Sequence, residues 1–220
     1  MGLAIVFHEI EQGVRVLHDA IEAGRNLDSV QVQARELVRI LDGFSELLRK
    51  GEQRPNSVKH LIKRARDINR VRFRNHGVKL VCPTLEDDAP DIERNFAFGL
   101  LLGALNNLLD NAFYWLQVRW PEGQGNSQRM LYINVEMDFT GGPAIIVADN
   151  GPGFQDDPDR LRRPFFSRRP DGMGVGLYYT NMVMELNSGR LAFPDSEEAN
   201  APDGFDGAVL ALVFGKKETS

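Results

Sequence analysis

Asn107 and Asn111 stand four residues apart inside a run, Leu105-Asn106-Asn107-Leu108-Leu109-Asp110-Asn111-Ala112, whose surroundings are strongly apolar. Helical spacing puts the pair on one face. A carboxamide taken from water costs free energy unless both its ends are bonded, so the pair implies either a polar ligand beside the core or two amides that cap or bridge helices. Downstream, Ile145-Ile146-Val147-Ala148-Asp149-Asn150-Gly151-Pro152-Gly153 carries an apolar strand into one carboxylate followed by glycines. Such a sequence suits a type I or II turn. It also suits recognition of an amino group on a base edge, with Asp149 accepting one directional hydrogen bond and Gly151 and Gly153 letting the backbone pass close to a ring. Asp171-Gly172-Met173-Gly174-Val175-Gly176-Leu177 opens a further helix, where converging backbone N–H groups and the helix dipole favour an anion. Between these two lies a polar, proline-punctuated stretch, about 155–171, whose cations include Arg168 and Arg169; its composition suits a mobile lid with charges to place near phosphates.

In this order the motifs resemble the ATP-binding domain of the Bergerat-fold family, which groups gyrase, heat-shock chaperone, mismatch-repair and histidine-kinase ATP sites. The resemblance covers Ser57 to Gly215, and the segment before it looks like the dimerisation and phosphotransfer domain of a sensor histidine kinase. It implies ATP and Mg²⁺ as cofactors, with Asn107 and Asn111 in the N box and Asn111 the Mg²⁺ ligand. It also implies Asp149 on the adenine amino group with Gly151 and Gly153 completing that box. Phe165 falls in the lid's phenylalanine motif, Arg168 and Arg169 are its cations, and Gly172, Gly174, Gly176 and Leu177 form the phosphate-side box. ATP-hydrolysing relatives place a glutamate base where this chain has Asn107, and an amide cannot take a proton from water. The resemblance therefore implies phosphoryl transfer to a histidine, by positioning and charge neutralisation.

His8-Glu9-Ile10-Glu11-Gln12 resembles the kinase phosphoacceptor box. His8 is the implied acceptor, Glu9 a carboxylate able to take the imidazole proton, and Gln12 a residue able to position water for phosphatase action on a partner. His18-Asp19 is the competing site. Gly13 stands where the family usually has proline, and Tyr114 where it often has a cation. The implied partners are a second copy of the chain and the receiver domain of a response regulator, whose aspartate takes the phosphoryl group. An ATP-binding interaction module, or a serine kinase of the anti-sigma type, remains as the alternative.

These residues need elements to hold them. Leu3, Phe7, Ile10, Val14, Leu17 and Ile21, then Leu27, Val30, Ala34, Leu37, Leu41, Phe44 and Leu48, form two heptad-like seams around a tight reversal at Ala23-Gly24-Arg25-Asn26. The spacing predicts an antiparallel helical hairpin over 1–54, completed as a four-helix bundle on homodimerisation. Residues 55–220 are expected to be the ATP-binding catalytic domain. Val58, Leu61, Ile62, Ala65 and Ile68 predict an amphipathic helix with a basic outer face. Strands are expected at 78–81, 131–137, 144–147 and 208–214, and helices at 92–117 and 175–186. Interleaved without a regular βαβ rhythm, they predict an α+β class, a Bergerat-type α/β sandwich in which helices cover one face of a mixed sheet.

Charge divides along the same line. The net −5 of this 220-residue chain conceals 15 Lys/Arg against 10 Asp/Glu up to Leu80 and 11 against 21 thereafter. Arg49 to Lys79 is cationic, yet its charges occupy the solvated face of a helix with a single aromatic, Phe73, so no nucleic-acid partner is expected. A lone Cys82 excludes an intrachain disulfide framework and multi-cysteine zinc sites. No stretch reaches the ~18 consecutive apolar residues of a membrane span. The reading expects a cytoplasmic kinase core with no membrane segment in this chain, whose sensory input lies outside these residues.

Overall fold

The computed structural model describes residues 14–15, 18–19, 21–24, 30–31, 34–35, 38, 53–122, 128–170, 172 and 174–215. The chain forms two compact units, Met1–Glu52 with Asp156–Tyr179, and Gln53–Gln155 with Thr180–Ser220.

In the second unit, β2 (Lys79–Val81), β4 (Met130–Glu136), β5 (Ala144–Asp149), β7 (Val209–Val213) and β6 (Arg190–Ala192) build a five-stranded sheet in the order β2-β4-β5-β7-β6. The β2–β4 pair is parallel and the other pairs are antiparallel, so the sheet is mixed. The central strands β5 and β7 are buried at every position, and their runs are apolar except for Asp149 at the end of β5. On one face Tyr132, Ala144, Ile146, Ala148, Val209, Ala211 and Val213 pack under Ala199 and Phe205 from the long segment between β6 and β7. Residues of β5 alternate between faces, so Ile145, Val147 and Asp149 look the other way, toward the helices.

Those helices are α1 (Val58–Asn75) and α2 (Phe98–Arg119), with α4 (Gly176–Leu186) contributing its Thr180 Oγ1 to the Ala104 carbonyl of α2 at 3.5 Å. Ser57 caps α1 by accepting from His60 N at 2.8 Å, and Asp91 accepts from Lys59 N at 3.0 Å, which satisfies two of the first-turn donors. Gly77, with φ 60°, closes the other end, since Val78 N reaches Phe73 O and Gly77 N reaches Arg74 O.

Two expectations need correction. The helix expected over 92–117 begins at Phe98, because Glu93–Phe96 is a strand, β3, paired antiparallel with β1 (Arg54–Ser57). Pro55 is tolerated in β1 because a two-stranded sheet has only edges. Ile68 of α1 is 48% exposed and not part of the buried face, which runs instead through Val58, Leu61, Ile62, Ala65, Asn69 and Phe73. Asn69 displaces Ile68 because polar residues of α2 meet α1 there.

In the first unit the described residues 14–15, 18–19, 21–22, 30–31, 34–35 and 38 are helical, and Ala23–Gly24 forms a turn with Gly24 at φ 64°. The turn stands where the sequence predicts a reversal; residues 25–29 lie outside the described residues. His8, Glu9 and Gln12 lie outside the described residues. The later part of this unit contains the short helix α3 (Pro158–Leu161). Among the described residues no helix is long and apolar enough to cross a membrane, and no group of three or more His, Cys, Asp or Glu side chains could hold a metal.

Candidate functional site

α2 separates two kinds of polar residue by one position of register. Asn106 and Asp110 face α1: Asn69 Nδ2 donates to Asn106 Oδ1 at 2.7 Å, and Arg72 donates to both Asn69 Oδ1, at 3.0 Å, and Asp110. The Arg72 guanidinium also lies over the Phe113 ring at 4.5 Å. These are interhelical amides and ions. Asn107 and Asn111 sit one residue further round, half-buried, and among the described residues neither carboxamide has a protein partner. A half-buried amide pair without partners is open to a ligand.

Asp149, at the end of β5, is 5% exposed. Its Oδ1 accepts from Gly151 N at 2.7 Å and Ala208 N at 3.1 Å, while among the described residues no protein donor meets Oδ2. Burial pushes its carboxyl up to about 6; the two backbone donors and Arg119 hold the rise back, and Asp206 adds to it. Glycines let the chain pack tightly against the bonded oxygen. A Cβ on Gly207 would lie 2.4 Å from Asp149 Oδ1 and 2.5 Å from Gly151 N, and one on Gly151 would lie 2.8 Å from Oδ1 and 3.5 Å from the carbonyl carbon of Trp115. Trp115 itself meets Tyr114 edge to face, ring centroids 5.0 Å apart. Gly153 adopts φ 75°, which favours glycine there.

Asn150, next to Asp149, is structural. Its side chain bridges Gln128 O at 2.7 Å and Met130 N at 2.8 Å, anchoring the end of β5 to the start of β4.

The structure thus places Asn107, Asn111, Asp149, Gly151 and Gly153 in one unit. The remaining described candidates, Phe165, Arg168, Arg169, Gly172, Gly174, Gly176 and Leu177, lie in the other. There, Arg168 donates to Asp156 through Nε and, at 3.1 Å, Nη2, and Arg160 Nη1 joins the same carboxylate at 3.0 Å. The Arg168 contact holds the Asp156 carboxyl below the usual carboxylate range. Arg160 also stacks on Phe166 at 4.5 Å. Phe165 takes φ 60°, rare for an aromatic residue, and Gly174 comes so close that a Cβ on it would lie 2.5 Å from Phe165 C and Phe166 N.

Sequence reasoning missed Trp115, Arg119, Asp206 and Gly207. For the first two a signal existed: 107, 111, 115 and 119 continue one i+4 series along α2. Asp206-Gly207 carried none, since only the β5–β7 pairing brings it beside Asp149.

No family model matches the chain. In sequence it is similar to the sensor protein kinase PilS of Pseudomonas aeruginosa, 28% identical over 173 residues that cover 77% of this chain and 31% of that protein. It is also similar to the C4-dicarboxylate transport sensor protein DctB of Rhizobium meliloti, 27% identical over 224 residues, covering 93% of this chain and 33% of that one. The chain therefore spans about a third of the length of these curated relatives. In structure it matches the Acinetobacter baumannii histidine kinase AdeS with a TM-score of 0.54 at 16% identity, covering 95% of this chain and 98% of that one. The mycobacterial sensor histidine kinase MprB matches with a TM-score of 0.51 at 22% identity over 72% of this chain and 94% of that one. The fold is that of histidine kinase catalytic domains, and the chain is similar in sequence to the catalytic core of sensor histidine kinases.

Proposed function

We propose that this chain is the core of a histidine autokinase of two-component signalling, which moves the ATP γ-phosphoryl to His8 and from there to an aspartate of a response-regulator receiver domain. The observation that carries the nucleotide reading is Asp149: a buried carboxylate with one oxygen fixed by two backbone amides and the other, among the described residues, without a protein donor. An ionised Oδ2 is an acceptor for the amino group of adenine, and a group unable to donate there would leave the carboxylate unpaired and desolvated.

Asn107 and Asn111 offer carboxamide oxygens of the hard type that Mg²⁺ prefers, and their lack of protein partners among the described residues fits that use. Asn111 would hold the ion, which when bound neutralises charge on the phosphates. Asn107 cannot deprotonate water, which favours transfer to a histidine over hydrolysis. By resemblance Gly172, Gly174, Gly176 and Leu177 serve the phosphate end, Phe165 belongs to the lid, and Arg168 and Arg169 supply its charge. At His8 one ring nitrogen attacks phosphorus, the bond to the ADP oxygen breaks, and Glu9 accepts the proton from the other nitrogen. Gln12 would position water when the partner's phosphoaspartate is hydrolysed.

Titrating ATP into the protein with and without Mg²⁺ tests the nucleotide part. Asp149→Asn is expected to weaken binding by about tenfold or more, and Asn111→Ala to remove the gain that Mg²⁺ gives. Wild-type affinity in both variants would contradict the assignment.

A further inference from the structure

Arg119 ends α2 close to the segments that hold Asp149 and does more than complement the helix dipole. Its Nη1 donates to the Gly151 carbonyl at 2.7 Å and to Asp206 Oδ1 at 3.3 Å, its Nη2 to Asp206 Oδ2 at 3.4 Å, and its guanidinium lies 5.1 Å from the Trp120 ring centroid. Gly151 is the residue whose N–H holds Asp149 Oδ1, and Asp206 directly precedes Gly207 and Ala208, whose N–H groups hold Asp149 O at 2.9 Å and Oδ1 at 3.1 Å. One cation therefore grips both chain segments that supply the carboxylate's donors.

We infer that Arg119 is a positioning residue for nucleotide binding, clamping the Gly151 and Asp206–Ala208 segments so that Asp149 presents Oδ2 to its ligand. The inference rests on the nucleotide reading above. The Arg119–Asp206 pair is partly exposed, with side chains 33% and 65% accessible, and adds little by itself. The charge-assisted bond to the Gly151 carbonyl carries the effect, because it fixes the turn that donates to Asp149. Arg119 and Asp206 are also the charged groups that bear on Asp149 among the described residues, with opposite signs. Removing Arg119 thus loosens both donors and takes away the one cation, among the described residues, that favours the ionised acceptor.

The test compares wild type with Arg119→Met, Arg119→Lys and Asp206→Asn. The ¹³C carboxyl shift of Asp149 is followed from pH 4 to 8 without ligand, and ATP affinity is measured at pH 6 and pH 7. In Arg119→Met the Asp149 midpoint should rise by about half a unit to one unit. ATP affinity should fall about threefold to tenfold at pH 7, with a larger deficit at pH 6. Arg119→Lys should restore most of the midpoint, and Asp206→Asn should move it down. A role limited to helix capping would lower thermal stability in Arg119→Met while leaving the midpoint in place, and that result overturns the inference. The nucleotide reading fails separately, if Asp149→Asn binds ATP as wild type does; the ligand-free titration still decides whether Arg119 governs Asp149.

Discussion

Burial pushes the Asp149 carboxyl up to about 6 from an ordinary 3.8, so the fold prefers this residue protonated whereas an amino-group ligand requires it ionised. Its contribution to stability is fully present below the unfolded value near 3.8 and is lost as pH rises through about 6. A rise of that size corresponds to something on the order of 3 kcal/mol across that window. Asp149→Asn should therefore flatten the fall in unfolding free energy between pH 4 and pH 7. It should leave the ligand-free protein more stable than wild type at pH 7, by about 1–3 kcal/mol. Urea denaturation of both proteins at pH 4, 5.5 and 7 reads this directly, and parallel pH profiles would show that the carboxylate is not strained by burial. For ATP the sign reverses: affinity should hold above pH 6 and weaken below it, as the acceptor takes a proton.

At the scale of elements, α2 carries two polar stripes with separate jobs, and only their partners distinguish them. Asn69, 2% exposed, spends its side chain on Ala65 O, Asn106 and Arg72, so Asn69→Ala strands Asn106 against the α1 interface. Such a loss costs about 1–3 kcal/mol. Thermal unfolding should report it, while ATP affinity at a temperature where the variant is folded stays within about twofold, since the Asn107–Asn111 stripe is untouched. The same stripe shows what the sequence could carry. Asn107, Asn111 and Asp149 were legible as candidates because their types and spacing conflict with an apolar core, and β5 and β7 because residues 144–148 and Val209–Val213 are continuous apolar runs. Asn69 and Ile68 were exchanged, because an apolar residue at helical spacing looks like core until a polar partner on another helix claims the position. β1 and β3 were not legible, since Arg54-Pro55-Asn56-Ser57 and Glu93-Arg94-Asn95-Phe96 have no alternating pattern and their pairing, with Asn56 opposite Arg94 and Ser57 opposite Glu93, arises only through tertiary structure.

The whole molecule is proposed to work as a dimer that brings His8 to a nucleotide site. In the single chain the seam residues Val14 and Ile21 are exposed, which a partner helix would cover. Light scattering should give a mass twice the 24.7 kDa of the chain, and Ile21→Asp should shift it toward the monomer. An unchanged dimer in that variant would place the interface elsewhere. Tyr114 and Gly13 mark where this chain departs from the pattern it resembles, and in the proposed transfer Arg168 or Arg169 takes the place of the cation that Tyr114 replaces. The central claim is the transfer itself. Incubating wild type, His8→Ala and His18→Ala with Mg²⁺ and γ-labelled ATP should put acid-labile label on wild type and His18→Ala and none on His8→Ala, whereas label that persists in His8→Ala, or its absence from a wild type that binds ATP, would contradict it.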